Sequence, residues 1–148
     1  MPDYFEMFTV LMSKLSYQIK KIKSEEMEKF NLKGTHLSCL YYLYKEDALT
    51  AKELCEICEE DKANVSRTID YLETNGYLIR QNEDNKKYKS HLALTEMGRS
   101  VASKIAEKID RILDEAGAGI HEAEREIMYR SLFQISSNLQ KRCSQYDK

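Results

Sequence analysis

Apolar residues recur every three or four positions over most of the chain and every second position over one short stretch. The first helical pattern runs from about Asp3 to Lys29, where Phe5, Phe8, Met12, Leu15, Ile19 and Ile22 form a heptad-spaced seam. One seam on one helix has to meet a partner. The pattern suits both the chain's own core and a second copy of it. FNLKG at 30–34 breaks the period. From 35 to 46 the chain is apolar nearly all round, with Leu37, Leu40, Tyr41 and Tyr44 on one face and Cys39, Tyr42 and Leu43 on the other. A helix without a polar face is expected to be central and covered on both sides.

Short helices follow. Thr50 with Glu53 three residues on makes a capping box for a helix in which Leu54, Ile57 and Cys58 share a face. Glu59-Glu60-Asp61 ends it, and Asp61 can cap a further helix from Lys62 to Thr74. Val65, Ile69 and Leu72 repeat there at i, i+4 and i+7, and Gly76 is placed to stop the helix.

Beyond Gly76 the period shortens to two. YLIRQ (77–81) and KKYKSHLAL (86–94) read as the strands of a hairpin around the turn NEDN (82–85). In the second strand Tyr88, Ser90, Leu92 and Leu94 share one face, and Lys87, Lys89 and His91 the other. Thr95 then caps a long helix from about Glu96 to Ala116, striped by Val101, Ile105, Ile109, Ile112 and Leu113. After Gly117-Ala118-Gly119, a last helix from about Glu122 to Cys143 carries Met128, Leu132, Ile135 and Leu139. The predicted fold class is mainly α with a minor β part, in the order helix, helix, helix, helix, hairpin, helix, helix.

Composition narrows the class. At 148 residues with one proline and five glycines, the chain suits a single domain broken at few points. No apolar run approaches the ~18–20 residues of a membrane span. The start MPDYFEMF lacks the order of a signal peptide. The expectation is a cytoplasmic protein with four reduced cysteines and no membrane partner. A net charge of −2 argues against a nonspecific nucleic-acid coat but leaves room for a small basic face.

The central stretch supplies such a face. Two short helices joined by a tight turn and followed by a basic hairpin are the parts of a DNA reader. With Val65, Ile69 and Leu72 turned inward, Ala63, Asn64, Ser66, Arg67, Asp70 and Tyr71 lie on the opposite side and flanks. Arg67 can address guanine with both arms of its fork, Asn64 adenine, Ser66 a base edge or phosphate, and Ala63 a thymine methyl. Between Lys62 and His91 six Lys or Arg stand against four Asp or Glu, a local +2. Lys52, Lys62, Arg80, Lys86, Lys87 and Lys89 are further candidates, the last three at a wing tip suited to phosphates or a narrow minor groove.

Three segments, in order, resemble the winged helix-turn-helix of the multiple-antibiotic-resistance-regulator (MarR) family. They are L-T-x-x-E-L at 49–54, A-N-V-S-R-x-I-D-x-L-E-x-N-G-Y-L at 63–78 and L-x-L-T-E-x-G at 92–98. The flanking long helices extend the likeness over nearly the whole chain. The resemblance implies a homodimeric transcription regulator on a pseudo-palindromic operator in double-stranded DNA. It implies one MarR-like domain over 1–148, a DNA-binding lobe at 33–98, and helical dimerisation segments at 3–29 and 99–145. It also places Lys62, Ala63, Asn64, Ser66 and Arg67 against bases and backbone. Many members carry Asp-x-Arg in the second wing strand. Lys86-Lys87-Tyr88-Lys89 stands there instead, which leaves the wing's contact residue open. Family members often bind small aromatic effectors. Tyr17, His36, Cys39, Tyr41, Tyr42 and Tyr44 are material for such a site, though tyrosines at helical spacing are more often core.

Other chemistry is poorly supplied. Cys55 and Cys58 form C-x-x-C, but Cys55 falls in the second helical turn, past the end where the helix dipole favours a thiolate. No second ligand pair follows at zinc spacing. Cys143, and less so Cys39, are the thiols open to redox chemistry. There is no glycine-rich phosphate loop, nucleophile elbow or H-E-x-x-H, so no enzyme and no cofactor is expected. Two alternatives to the DNA reader remain: a winged-helix protein-interaction module, and a thiol or metal sensor built on Cys55 and Cys58.

Overall fold

The computed structural model describes residues 4–58, 61–81 and 90–147. Six α-helices and a small sheet follow in the order α1 (Tyr4–Glu28), a one-turn 3-10 helix (Gly34–His36), α2 (Leu37–Glu46), β1 (Leu49–Thr50), α3 (Ala51–Cys58), α4 (Lys62–Thr74), β2 (Leu78–Gln81), β3 (His91–Leu94), α5 (Glu96–Ala116) and α6 (Glu122–Tyr146). The wing-tip candidates Lys86, Lys87 and Lys89, with Glu83, Asp84 and Tyr88, lie outside the described residues, as do Glu59 and Glu60. Among the described residues no helix is long and apolar enough to cross a membrane.

The chain divides into two compact units, Met1–Lys108 and Ile109–Lys148. In the first, α2 packs against α3, α4 and β3. Its Leu37, Cys39, Leu40 and Leu43 are all buried, as the missing polar face requires. Around them Leu54, Val65, Ile69, Leu72, Leu78 and Leu92 are sealed almost completely. Each such side chain contributes about 1.5–3 kcal/mol by leaving water. Ile57, placed by its spacing on the buried face of α3, is 39% exposed. An eight-residue helix buries a narrow stripe, and Leu54 alone fills it.

The sheet has three antiparallel strands in the order β1-β3-β2. The hairpin strands pair Leu78 with Leu94 and Arg80 with Leu92. Alternation holds where β3 and its approach are described: Ser90, Leu92 and Leu94 are buried and His91 exposed. The strand absent from the sequence pattern is β1, two residues whose Leu49 pairs with Leu92 and Thr50 with His91.

The helix ends follow their side chains. Thr50 and Glu53 close the capping box at the start of α3, Glu53 N–H to Thr50 Oγ1 at 3.1 Å and Thr50 N–H to Glu53 Oε2 at 2.8 Å. Asp61 Oδ1 accepts from Asn64 N–H at 2.8 Å at the start of α4. Gly76, at φ +82°, ends α4 in a Schellman turn, its N–H on Glu73 O and that of Tyr77 on Leu72 O. In the second unit α6 buries no residue, and Met128, Ile135 and Leu139 are exposed.

Candidate nucleic-acid interface

The helix α4 turns one side to the core and the other to solvent. At about 100° per residue, Val65, Thr68, Ile69 and Leu72 gather on the buried side. Lys62, Ala63, Asn64, Ser66, Arg67 and Asp70 are exposed on the rest. The sequence-expected readers therefore share one outward face, with Lys52 exposed on α3 nearby in sequence. Two clefts border that face. One, of about 200 Å³, lies toward α3 and β2 and is lined by Ala51, Cys55, Lys62, Ser66, Asp70 and Arg80 among others. The second, of about 240 Å³, lies toward the 3-10 turn, with Asn64, Arg67, Thr68 and Tyr71 on its α4 side.

Hydrogen bonds arrange the outward face before any ligand arrives. Asp61 holds Asn64 twice, at the backbone N–H and at the side-chain Nδ2, 3.0 Å from Asp61 Oδ2. Asn64 Oδ1 in turn accepts from the Arg67 guanidinium. This chain limits the rotamers of the two residues best suited to base edges, which lowers the entropy lost on binding.

Arg80 has a different place from the one its charge suggests. Its register opposite Leu92 turns it toward the core face of the sheet. Its side chain is only 13% exposed and meets Asp70 at 3.1 Å and Glu73 at 3.2 Å. Both carboxylates belong to α4, so Arg80 ties β2 to the C-terminal half of that helix. Tyr71 is also partly committed: its ring stacks on His36 at 4.5 Å and 18°, leaving 39% exposed.

His36 itself is buried, and its Nδ1 accepts from Lys33 N–H at 3.1 Å. Burial first, and then the charge of Lys33, push its pKa below the ordinary 6.5. The unfolded chain therefore takes up a proton near pH 6.5 that the folded chain refuses. The stability His36 contributes is complete above that pH and is lost as the pH falls below it. We expect the urea midpoint to drop between pH 6.5 and 5. In His36→Asn, whose Oδ1 can still accept from Lys33, that drop should shrink. Identical pH profiles for the two proteins would remove His36 as its cause.

The cysteines separate cleanly. Cys39 is buried, Cys55 and Cys58 are half-buried, and Cys143 is exposed. Burial, then Cys58, with Glu56 and Asp61 adding, raises the Cys55 thiol pKa against a smaller opposing pull from Lys62. A raised pKa disfavours the thiolate that redox and metal chemistry use. Among the described residues no group of three His, Cys, Asp or Glu is placed to hold a metal ion. Lys33, Thr35 and the His36–Tyr71 stack escaped the sequence reading as parts of this surface. Lys33, Thr35 and His36 come from a loop and a 3-10 turn with no periodic signal, whereas Tyr71 lies on α4 and is among the candidates legible in the sequence.

Comparison with known proteins points to one family. The MarR family model matches residues 30–87. A curated relative, the uncharacterized HTH-type transcriptional regulator YwoH of Bacillus subtilis, is 29% identical over 108 residues, covering 73% of this chain and 78% of that protein. Among solved structures, NMB1585, a MarR family regulator from Neisseria meningitidis, superposes with a TM-score of 0.83. It is 19% identical and covers 97% of this chain and 99% of its own. Over residues 30–87 the chain is similar to the MarR family. A putative MarR family transcriptional regulator from Listeria monocytogenes, complexed with 26mer DNA, is also similar, at 26% identity and a TM-score of 0.76 over 94% of this chain and 90% of that one. The curated relative is a transcriptional regulator by its name. The small antiparallel sheet and long helices of this chain match the winged-helix structures of the family.

Proposed function

We propose that this protein is a cytoplasmic, homodimeric repressor of the MarR family that reads a pseudo-palindromic operator in double-stranded DNA and is released by a small ligand or an oxidant. The observation that carries the reading is the outward face of α4. Lys62, Ala63, Asn64, Ser66 and Arg67 are exposed together there, while the helix is anchored by Val65, Ile69 and Leu72. The Listeria monocytogenes relative with its 26mer DNA supports the same use of this fold.

The dimer rests on apolar surface. In the first unit Phe5, Leu15, Ile19 and Ile22 of α1 are exposed; in the second, so are Met128, Phe133, Ile135 and Leu139 of α6. Apolar stripes of this extent on otherwise solvated helices mark an interface. Tyr17 and the half-buried Tyr41 and Tyr42 offer rings to an aromatic effector, and the exposed Cys143 offers a thiol to an oxidant.

Selection of genomic fragments with the purified protein tests the reading. Enrichment of a two-fold-related site is expected, with affinity that falls steeply with salt. Sedimentation should give a dimer at micromolar concentration. No enriched fragment, together with no salt dependence, would refute the reader, and a monomer at all concentrations would refute the symmetric site.

A further inference from the structure

The two clefts beside α4 differ in charge, and the difference has a consequence for how the protein seats itself on a duplex. The cleft toward β2 holds Lys62 together with a carboxylate, Asp70, and an Arg80 already engaged by Asp70 and Glu73. The cleft toward the 3-10 turn is lined by Lys33, Thr35, His36, Asn64, Arg67, Thr68 and Tyr71. It holds two cations and, among the described residues, no carboxylate. Lys33, Thr35, Asn64 and Arg67 are all exposed at its edge.

The cleft is also built rigidly. The Lys33 backbone is pinned by its N–H to His36 Nδ1, and the His36 ring is stacked on Tyr71 of α4. The 3-10 turn packs on α1, and Lys23 Nζ reaches Ser38 Oγ at 3.3 Å. Lys33 is thus held at a fixed distance from the reading helix, with its ammonium stem alone free to adjust. Asn64, Arg67, Thr68 and Tyr71 form one flank stripe of α4 at i, i+3, i+4 and i+7. When a helix lies in a major groove, its centre meets base edges and its flanks meet the sugar-phosphate walls.

We propose that this cleft seats a backbone phosphate of the bound duplex, with Lys33 supplying the charge, Thr35 a hydroxyl donor and Arg67 the inner wall. The inference rests on the duplex-reading function above and adds to it a phosphate anchor on the side of α4 away from β2. The anchor fixes register and carries no base preference.

Affinity is measured for the selected operator and for a scrambled duplex of equal length, from 50 to 200 mM salt. Lys33→Ala should weaken both duplexes alike, by about three- to tenfold, and lower the salt slope by about one per protomer. Thr35→Val should weaken both without changing the slope, because the lost donor is neutral. Removing an exposed lysine elsewhere, Lys141→Ala on α6, should change neither quantity. If Lys33→Ala behaves as Lys141→Ala does, the phosphate seat is wrong while duplex reading stands. If the wild-type protein binds no duplex, both fail together. Inorganic phosphate distinguishes the other source of the same chemistry. Phosphate that shifts the Tyr71 resonances of wild type but not of Lys33→Ala, with duplex affinity intact in that variant, would make this a free-anion site and overturn the proposal.

Discussion

Gly98→Ala is expected to destabilise the fold by about 3 kcal/mol or more, although alanine is the better helix former by up to about 1 kcal/mol. The sign is reversed by what lies beside Gly98 on α5. A Cβ there would stand 1.8 Å from Tyr77 O, 2.7 Å from its carbonyl carbon and 3.1 Å from its Cα. These are backbone atoms, which cannot swing aside as a side-chain tip can. Relief requires α5 to move, and Thr95 opposes that movement. Its N–H bonds to Tyr77 O at 3.1 Å, and its hydroxyl donates to Gly76 O at 2.6 Å while accepting from Gly98 N–H at 3.0 Å. Moving α5 would break this clip and lift Ala102, Ile105 and Ala106 from the core. Urea denaturation checks the loss. Ser100→Ala, exposed on the same helix, should stay within about 0.5 kcal/mol. A Gly98→Ala protein as stable as wild type would mean that α5 does not approach Tyr77 so closely.

The same clip explains why two of the family-like segments are spelled as they are. N-G-Y at 75–77 ends α4 and presents two carbonyls, Gly76 O and Tyr77 O. L-T-E-x-G at 94–98 starts α5 and supplies a hydroxyl to one of them and an absent side chain beside the other. The sequence shows both segments, and shows Gly76 as a helix stop and Thr95 as a cap, because those are local events. It does not show that they touch, because contact between residues 76–77 and 95–98 is set by the hairpin between them. Gly98 therefore looks like a weak point in a helix when it is a point of closest approach.

What was legible elsewhere follows the same division. The buried stripe of α4, the Thr50–Glu53 and Asp61 caps and the alternation of Ser90, Leu92 and Leu94 are written within a few residues, and the structure reproduces them. The strand β1 was not legible, since two residues carry no period and Leu49 is a strand only through Leu92. Arg80 read as a surface cation because charge is visible in a sequence and partners are not. Only the register against β3 turns it to Asp70 and Glu73. His36 and Tyr71, 35 positions apart in sequence, could not have been joined by any pattern.

Arg67→Ala is expected to relax discrimination at one base pair of each half-site by about 1–3 kcal/mol, with little effect on folding. Its exposure on α4 argues for the second half of that statement, and the outward face argues for the first. In the free protein the guanidinium donates to Asn64 Oδ1, and Asn64 is held by Asp61. The contact uses one of the five N–H donors of the fork, so arginine can keep it while addressing the two acceptors of a guanine. Arg67→Lys separates shape from charge. It keeps the cation but has no fork, so base preference should fall nearly as far as in Arg67→Ala. Affinity for scrambled duplex should stay near wild type. This is the reverse of the signature expected at Lys33, where both duplexes weaken together and preference is kept. Measuring every single base-pair substitution in the operator against the three proteins decides the matter. A wild-type preference profile in Arg67→Ala would remove Arg67 from the reading set and leave Asn64 and Ser66 to specify the site from the same face of α4.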